Sequence, residues 1–303
     1  MTALVLRGAP VAREIRERTR AAADLLRERV GVEPTLATLR VGADAAAGAY
    51  RGSIERLVAK AGVRHLAVDL DRDIEPARLI ETLHRLNADP TVHGVLLLMP
   101  LPPHLPLDLA LEHLSPLKDV DGITPLNAGR LHLGLPALRP STPQGGLELL
   151  DHYGIAIAGT RAVVVGRSNV VGSPMAALLT ARDATVTVCH RQTVDLAGLL
   201  GEADLVVLAA GSPGLLHGSM LREGAVVLDF GINVIDDTIV GDADAVSVAE
   251  CAAAYTPVPG GAGPVTTMVL ARNTVAAAFA SLAATADLEA SQVELVQELV
   301  APV

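Results

Sequence analysis

The residues best placed by type and spacing to do chemistry lie between positions 161 and 193. An apolar run, RAVVV (161–165), leads straight into Gly166-Arg167-Ser168-Asn169-Val170-Val171-Gly172, and Ser173-Pro174 then open a helical pattern. A strand–turn–helix of this kind points unpaired backbone N–H groups and the positive end of a helix dipole at an anion. Its glycines let the backbone approach a pyrophosphate closely. Ser173 reads as the N-cap, with Pro174 at the first helical position. The spacing GxSxxxG differs from the usual GxGxxG, so a tight turn without a ligand is the competing reading. After the next apolar run, TVTVC (185–189), chains that bind NAD carry an acidic residue for the ribose hydroxyl. Here the residues are His190-Arg191-Gln192-Thr193, with no carboxylate. Arg191, with Arg167 from the first turn, suits a 2′-phosphate through paired N–H donors. NADP is therefore expected over NAD; two solvated surface arginines are the alternative.

The elements that must position this turn alternate along the chain. In the first half, helical patterns at Val11–Arg29, Ala45–Ala61 and Glu75–Asn87 alternate with strands at Thr35–Val41, Leu66–Leu70 and Gly94–Met99. In the second half, four runs read as fully buried strands: RAVVV, TVTVC, LVVLA (205–209) and VVLDF (226–230). A long helix follows over Pro264–Leu282, then an amphipathic tail over Ser291–Val303. Such alternation means βαβ units and a largely parallel sheet. The proline-dense stretch Pro100–Pro143 reads as a connecting, site-forming segment.

The 303 residues suggest two domains, at about 150 residues each. Half the residues are hydrophobic but only 2% aromatic, so Ala, Val and Leu must fill the cores. A net charge of −10 argues against nucleic-acid or anionic-membrane partners, which need a basic face. Cys189 and Cys251 form no disulfide framework, no His/Cys/Asp cluster has metal-ligand spacing, and no signal peptide is evident, so a cytoplasmic, metal-free protein is expected.

Several ordered stretches resemble the methylenetetrahydrofolate dehydrogenase/cyclohydrolase (FolD) family over nearly the whole chain. They are KDVDG (118–122) with NAGRL (127–131), STPQG (141–145), the GRSNVVGSPM turn, DFGIN (229–233) and TPVPGGAGP (256–264). The resemblance implies an α/β protein of two domains: an N-terminal substrate domain (1–140 plus 272–303) and a C-terminal Rossmann-like NADP-binding domain (141–271). A folate binds in the cleft between them, and the protein forms a homodimer through the NADP domain. It further implies that Tyr50 stacks on the folate, that Asp121 grips the pterin amino group, and that Pro259, Gly260 and Gly261 line the cleft. Gly166, Arg167, Ser168, Val171, Gly172, His190, Arg191 and Ile232 would hold the NADP.

The chain departs from the family pattern at two places. The family's Tyr is followed four residues later by Lys, where this chain has Ile54, and a Gln precedes its Leu-Pro-Leu-Pro run, where this chain has Leu98. Ile and Leu carry no proton, and general acid–base help is commonly worth ~10²–10⁴-fold. Hydride transfer depends mainly on positioning. The expectation is a dehydrogenase whose cyclohydrolase step is weak or lost. The alternatives are an enzyme with both activities, a silent NADP-binding paralogue, and a dehydrogenase for another iminium-like substrate. Of the two lysines, Lys60 lies about 240° round the helix from Ile54, and Arg51 stays protonated, so no substitute base is expected. By spacing alone, Tyr50, Ile54, Leu57 and Ala61 form an ordinary apolar helix face.

Overall fold

The computed structural model describes residues 3–236, 238–283 and 298. The chain opens with β1 (Leu4–Val5) and α1 (Gly8–Val30), then alternates β2 (Thr35–Val41), α2 (Ala45–Lys60), β3 (Arg64–Leu70), α3 (Pro76–Ala88) and β4 (Gly94–Leu97). Three helices follow: α4 (Leu107–His113), α5 (Pro125–His132) and α6 (Ser141–His152). The second half runs β5 (Arg161–Val165), α7 (Gly172–Thr180), β6 (Thr185–Cys189), α8 (Leu196–Gly201), β7 (Leu205–Leu208) and β8 (Val226–Asp229). It ends with a hairpin of β9 (Asn233–Ile235) and β10 (Thr238–Val240), then α9 (Ala245–Cys251), β11 (Ala254–Tyr255) and α10 (Ala262–Ala283).

Two parallel sheets result. β3-β2-β4 form the smaller, and β1-β11-β8-β7-β5-β6 the larger. This is the expected two-domain α/β architecture. In the larger sheet the chain leaves β5 for β6 on one side and returns to β7 on the other. That reversal opens a crevice at the C-terminal ends of β5 and β7, the place where open α/β sheets bind ligands.

Local chemistry explains the helix ends. The Asp44 carboxylate accepts the Ala47 N–H at 2.7 Å and caps α2. Gly31, at φ 68°, ends α1 by turning left-handed while its N–H reaches the Arg27 carbonyl. α10 lies at the centre: it packs against α1, α2 and α6 as well as β2 and β4. Its length and apolar composition would suit a membrane span, but 78% of that window is buried in protein.

The structure corrects three expectations. The Pro100–Pro143 stretch holds α4, α5 and the start of α6. Its prolines start helices instead of preventing them: Pro106 and Pro140 sit at N-caps and Pro125 opens α5, where a missing N–H costs nothing. β6 is not fully buried, because it is the edge of its sheet; Thr185, Thr187 and Val188 are exposed and only Cys189 is buried. The short strands β1, β9, β10 and β11 and the helix α9 carry too little periodicity to be seen in the sequence. The tail expected over 291–303 lies outside the described residues, residue 298 apart.

Candidate active site

The crevice at the β5/β7 reversal is a cavity of about 710 Å³, walled by the turns after β5, β6 and β7. The first turn supplies Gly166, Arg167 and Ser168, the second His190 and Arg191, and the third Ala209 to Ser212. Among the described residues no carboxylate lines it, although the chain carries 34 acidic residues against 24 basic. Its charged side chains are two arginines, and this composition suits a phosphate-bearing ligand. Among the residues expected to hold a dinucleotide, Val171 and Gly172 form the turn without lining the cavity. Ile232 lies outside its wall and is 72% exposed.

Two glycines of the turn are required by close backbone approach. Gly166 has φ 122°, and a Cβ there would collide with the Ala209 carbonyl; one at Gly172 would collide with the Gly166 carbonyl. The N-cap of the helix that follows is Val171, not Ser173; within the turn, Ser168 Oγ accepts the Val171 N–H at 3.1 Å and the Gly172 N–H at 3.5 Å. α7 begins at Gly172, so Ser173 already lies in its first turn, where its hydroxyl donates to the Arg167 carbonyl at 3.1 Å. The second turn is fixed by His190, whose N–H donates to Thr193 Oγ1 at 2.8 Å and whose Nδ1 accepts the Gln192 N–H at 3.2 Å.

The third turn depends on a residue that sequence reasoning missed. Asp242, fully buried, accepts the N–H groups of Ala210 (2.8 Å), Gly211 (3.0 Å) and Ser212 (2.8 Å) and the Asn233 amide (2.9 Å). Behind it Asp229 accepts from Gly231, Asp242 and Ala243. Burial, with the Asp242 charge adding to it against these hydrogen bonds, holds the Asp229 carboxyl above its ordinary range. The Ala-Ala-Gly-Ser turn after a buried strand was a readable signal for the third wall; Asp242, following a short hairpin, carried none.

The residues expected to meet the second substrate gather around α2, the 119–122 turn and the start of α6. Tyr50 is 43% exposed, whereas Ile54, Val58 and Ala61 on the same helix are fully buried. The apolar face therefore splits, with Tyr50 half-exposed and the other three in the core. Desolvation of its phenol, reinforced by the nearby Asp121 carboxylate, raises the Tyr50 pKa far above normal. Asp121 is itself pushed up by burial and by Asp119, while Ser141 draws it down through a hydroxyl donated to Oδ1 at 2.6 Å.

Pro259 and Gly260 are exposed and Gly261 buried, in a turn closed by the Gly261 N–H on the Pro257 carbonyl at 2.8 Å. The Gly8 N–H meets the Gly260 carbonyl at 2.9 Å, which ties this turn to the start of α1.

Ile54 (0% exposed) and Leu98 (2%) share one hydrophobic cluster with Val265, Met268 and Val269 of α10. Ile54 is therefore core, in keeping with its place on the apolar face that helical spacing gives it. Neither neighbouring cation is free to replace a proton carrier. Lys118 donates to the carbonyls of Leu86 (2.9 Å) and Asp89 (2.6 Å), and Arg51 is held by Asp69 at 2.6 Å.

Known proteins share this arrangement. Residues 6–121 match the family model for the tetrahydrofolate dehydrogenase/cyclohydrolase catalytic domain, and residues 140–282 match that family's NAD(P)-binding domain. A bifunctional protein FolD from Chloroflexus aurantiacus is 49% identical over 278 residues, 91% of this chain and 98% of that protein. The crystal structure of the bifunctional enzyme FolD from Campylobacter jejuni superposes with a TM-score of 0.90 at 40% identity, covering 92% of this chain and all of that one. The Trypanosoma brucei methylenetetrahydrofolate dehydrogenase-cyclohydrolase, solved with NADP cofactor and an inhibitor, gives 0.89 at 36% identity, over 93% and 99% of the two chains. Two consecutive family models and near full-length identity agree with the cavity and its motifs: the chain belongs to the tetrahydrofolate dehydrogenase/cyclohydrolase family.

Proposed function

We propose that this chain oxidises 5,10-methylenetetrahydrofolate to the methenyl form with NADP and hydrolyses that product to 10-formyltetrahydrofolate. The observation carrying the cofactor choice is the cavity at the β5/β7 reversal, which holds Arg167 and Arg191 and no carboxylate. In this reading the two arginines take the 2′-phosphate, and Gly166, Ser168, Val171 and Gly172 bring backbone to the pyrophosphate. His190 and Ile232 border the nucleotide. When bound, NADP supplies the hydride acceptor. Tyr50 stacks on the folate, Asp121 holds its pterin amino group, and Pro259, Gly260 and Gly261 line the cleft. Holding both reactants in register is what the hydride step demands of the protein.

Relatives named bifunctional, at 44–51% identity, support the two-reaction reading. Ile54 and Leu98 favour a second one, in which hydrolysis is weak, because neither side chain carries a proton and both are buried. We assign 1–140 with 272–303 to the folate domain and 141–271 to NADP; α10 packs on α1 and α2 of the first and also on α6 of the second. The pairing of β1 with β11 places residues 4–5 on the second sheet. Association of two copies through the NADP domain is consistent with the exposed edge strand β6.

The test follows NADPH and the methenyl chromophore together, with purified protein, NADP and methylenetetrahydrofolate. NADPH formation with methenyl decay faster than the enzyme-free control supports both activities. NADPH with uncatalysed decay favours the second reading. No NADPH with NADP or NAD overturns folate oxidation altogether.

A further inference from the structure

The Asp121 turn is fastened to the start of α6 at three points. The Ser141 hydroxyl donates to Asp121 Oδ1 at 2.6 Å, and the Ser141 backbone N–H also faces the carboxylate. Gly122, at φ 64°, lies so close to the segment entering α6 that a Cβ would meet the Leu138 carbonyl oxygen at 2.5 Å and Pro140 N at 2.8 Å. From α10, Asn273 Nδ2 donates to the Val120 carbonyl at 2.8 Å and the Arg139 carbonyl at 3.0 Å. It thus bridges the residue before Asp121 and the residue two before Ser141. Ser141 and Asn273 are 2% and 8% exposed, so these bonds are shielded from water.

Asp121 needs such help. It is half-buried beside a second carboxylate, Asp119, whose Oδ2 is held by the Thr124 N–H (2.7 Å) and the Asn127 amide (3.0 Å). The groups that face Asp121 are Asp119 on its own turn, the Tyr50 phenol from α2 and Ser141 from α6. Ser141 is therefore the group that favours the ionised form, against burial and Asp119.

We propose that Ser141 is a positioning residue for the folate, holding Asp121 ionised and aimed, with Asn273 fixing the two loops at the distance this hydrogen bond needs. The inference rests on the reading of Asp121 as the pterin anchor.

Ser141→Ala should raise the folate KM about tenfold or more, the usual scale for a lost hydrogen bond to a charged group, with the NADP KM unchanged. Without the hydroxyl the Asp121 carboxyl climbs further above its ordinary range. The rise in folate KM as pH falls should therefore begin at a higher pH than in the parent. Ser141→Cys, nearly isosteric but a weaker donor, should fall between the two in both measures. A Ser141→Ala enzyme with parental folate KM and pH profile overturns the inference while leaving the function intact. Equal losses in the Ala and Cys variants, or an equal rise in both KM values, reduce Ser141 to a structural role and overturn it as well. A parent enzyme that forms no NADPH removes the folate reading, and this inference with it.

Discussion

Arg191 and Ile54 make opposite kinds of demand on their surroundings. Arg191 is useful because it stands at a cavity wall free of carboxylates. Arg191→Ala should raise the NADP KM by about 10- to 100-fold, equivalent to ~1.5–3 kcal/mol for a charge-assisted contact. The NAD KM should stay near its parental value; steady-state kinetics with each cofactor tests this, and equal changes in both would show that Arg191 does not read the 2′-phosphate. Ile54 is fully buried in the core shared with α10. Ile54→Lys should therefore destabilise the protein by several kcal/mol, because an unpaired ammonium enters an apolar site. A denaturant titration that shows no loss would mean that position 54 opens to the cleft, which would return it to the list of residues able to tune hydrolysis.

At the scale of elements, the cavity at the β5/β7 reversal is walled by three turns. Gly166 is where the first and third turns meet, since its missing Cβ makes room for the Ala209 carbonyl. Gly166→Ala should abolish measurable NADP binding by calorimetry while far-UV circular dichroism stays near parental, because strain and collision are confined to the turn. Retained binding would mean that the turn has room to move. The third turn hangs on Asp242, which accepts three successive N–H groups. Asp242→Ala removes the acceptor that holds three successive N–H groups of an exposed turn in place, so the turn loses its shape more than it loses satisfied donors. The expected result is a raised NADP KM together with a lower melting temperature. An unchanged NADP KM would show that this turn does not shape the nucleotide site.

For the whole molecule, α10 is the element on which both halves rest, and its one buried charge is Arg272. The guanidinium is 4% exposed and its partner Glu148 on α6 is fully buried, with Gln144 donating to the same carboxylate at 3.1 Å. Arg272→Ala strands that carboxylate and should cost ~3–5 kcal/mol, whereas replacing both partners by Leu or Met of similar volume should be close to neutral. Urea unfolding of the single and double variants distinguishes the cases; a single variant as stable as the parent would mean that water reaches Glu148.

Much of this protein was legible in one dimension. The alternation of apolar strands and helical patterns led to two α/β domains, and the glycine turn after RAVVV led to the cavity at the β5/β7 reversal, because each of those signals is local. What stayed hidden depends on neighbours distant in the chain. β6 reads as a buried strand, yet it lies at an edge, since strand order and not composition decides which strands are covered. Ser173 reads as the N-cap, yet the helix starts at Gly172 with Val171 at that position. Tyr50 and Ile54 share a helical spacing, and only the packing of α10 buries one while the other stays open. Asp242 and Asn273 hold up loops 30 to 153 residues away in sequence. A side chain's burial and its hydrogen-bond partners are set by what folds against it, and no periodicity in its own segment records that.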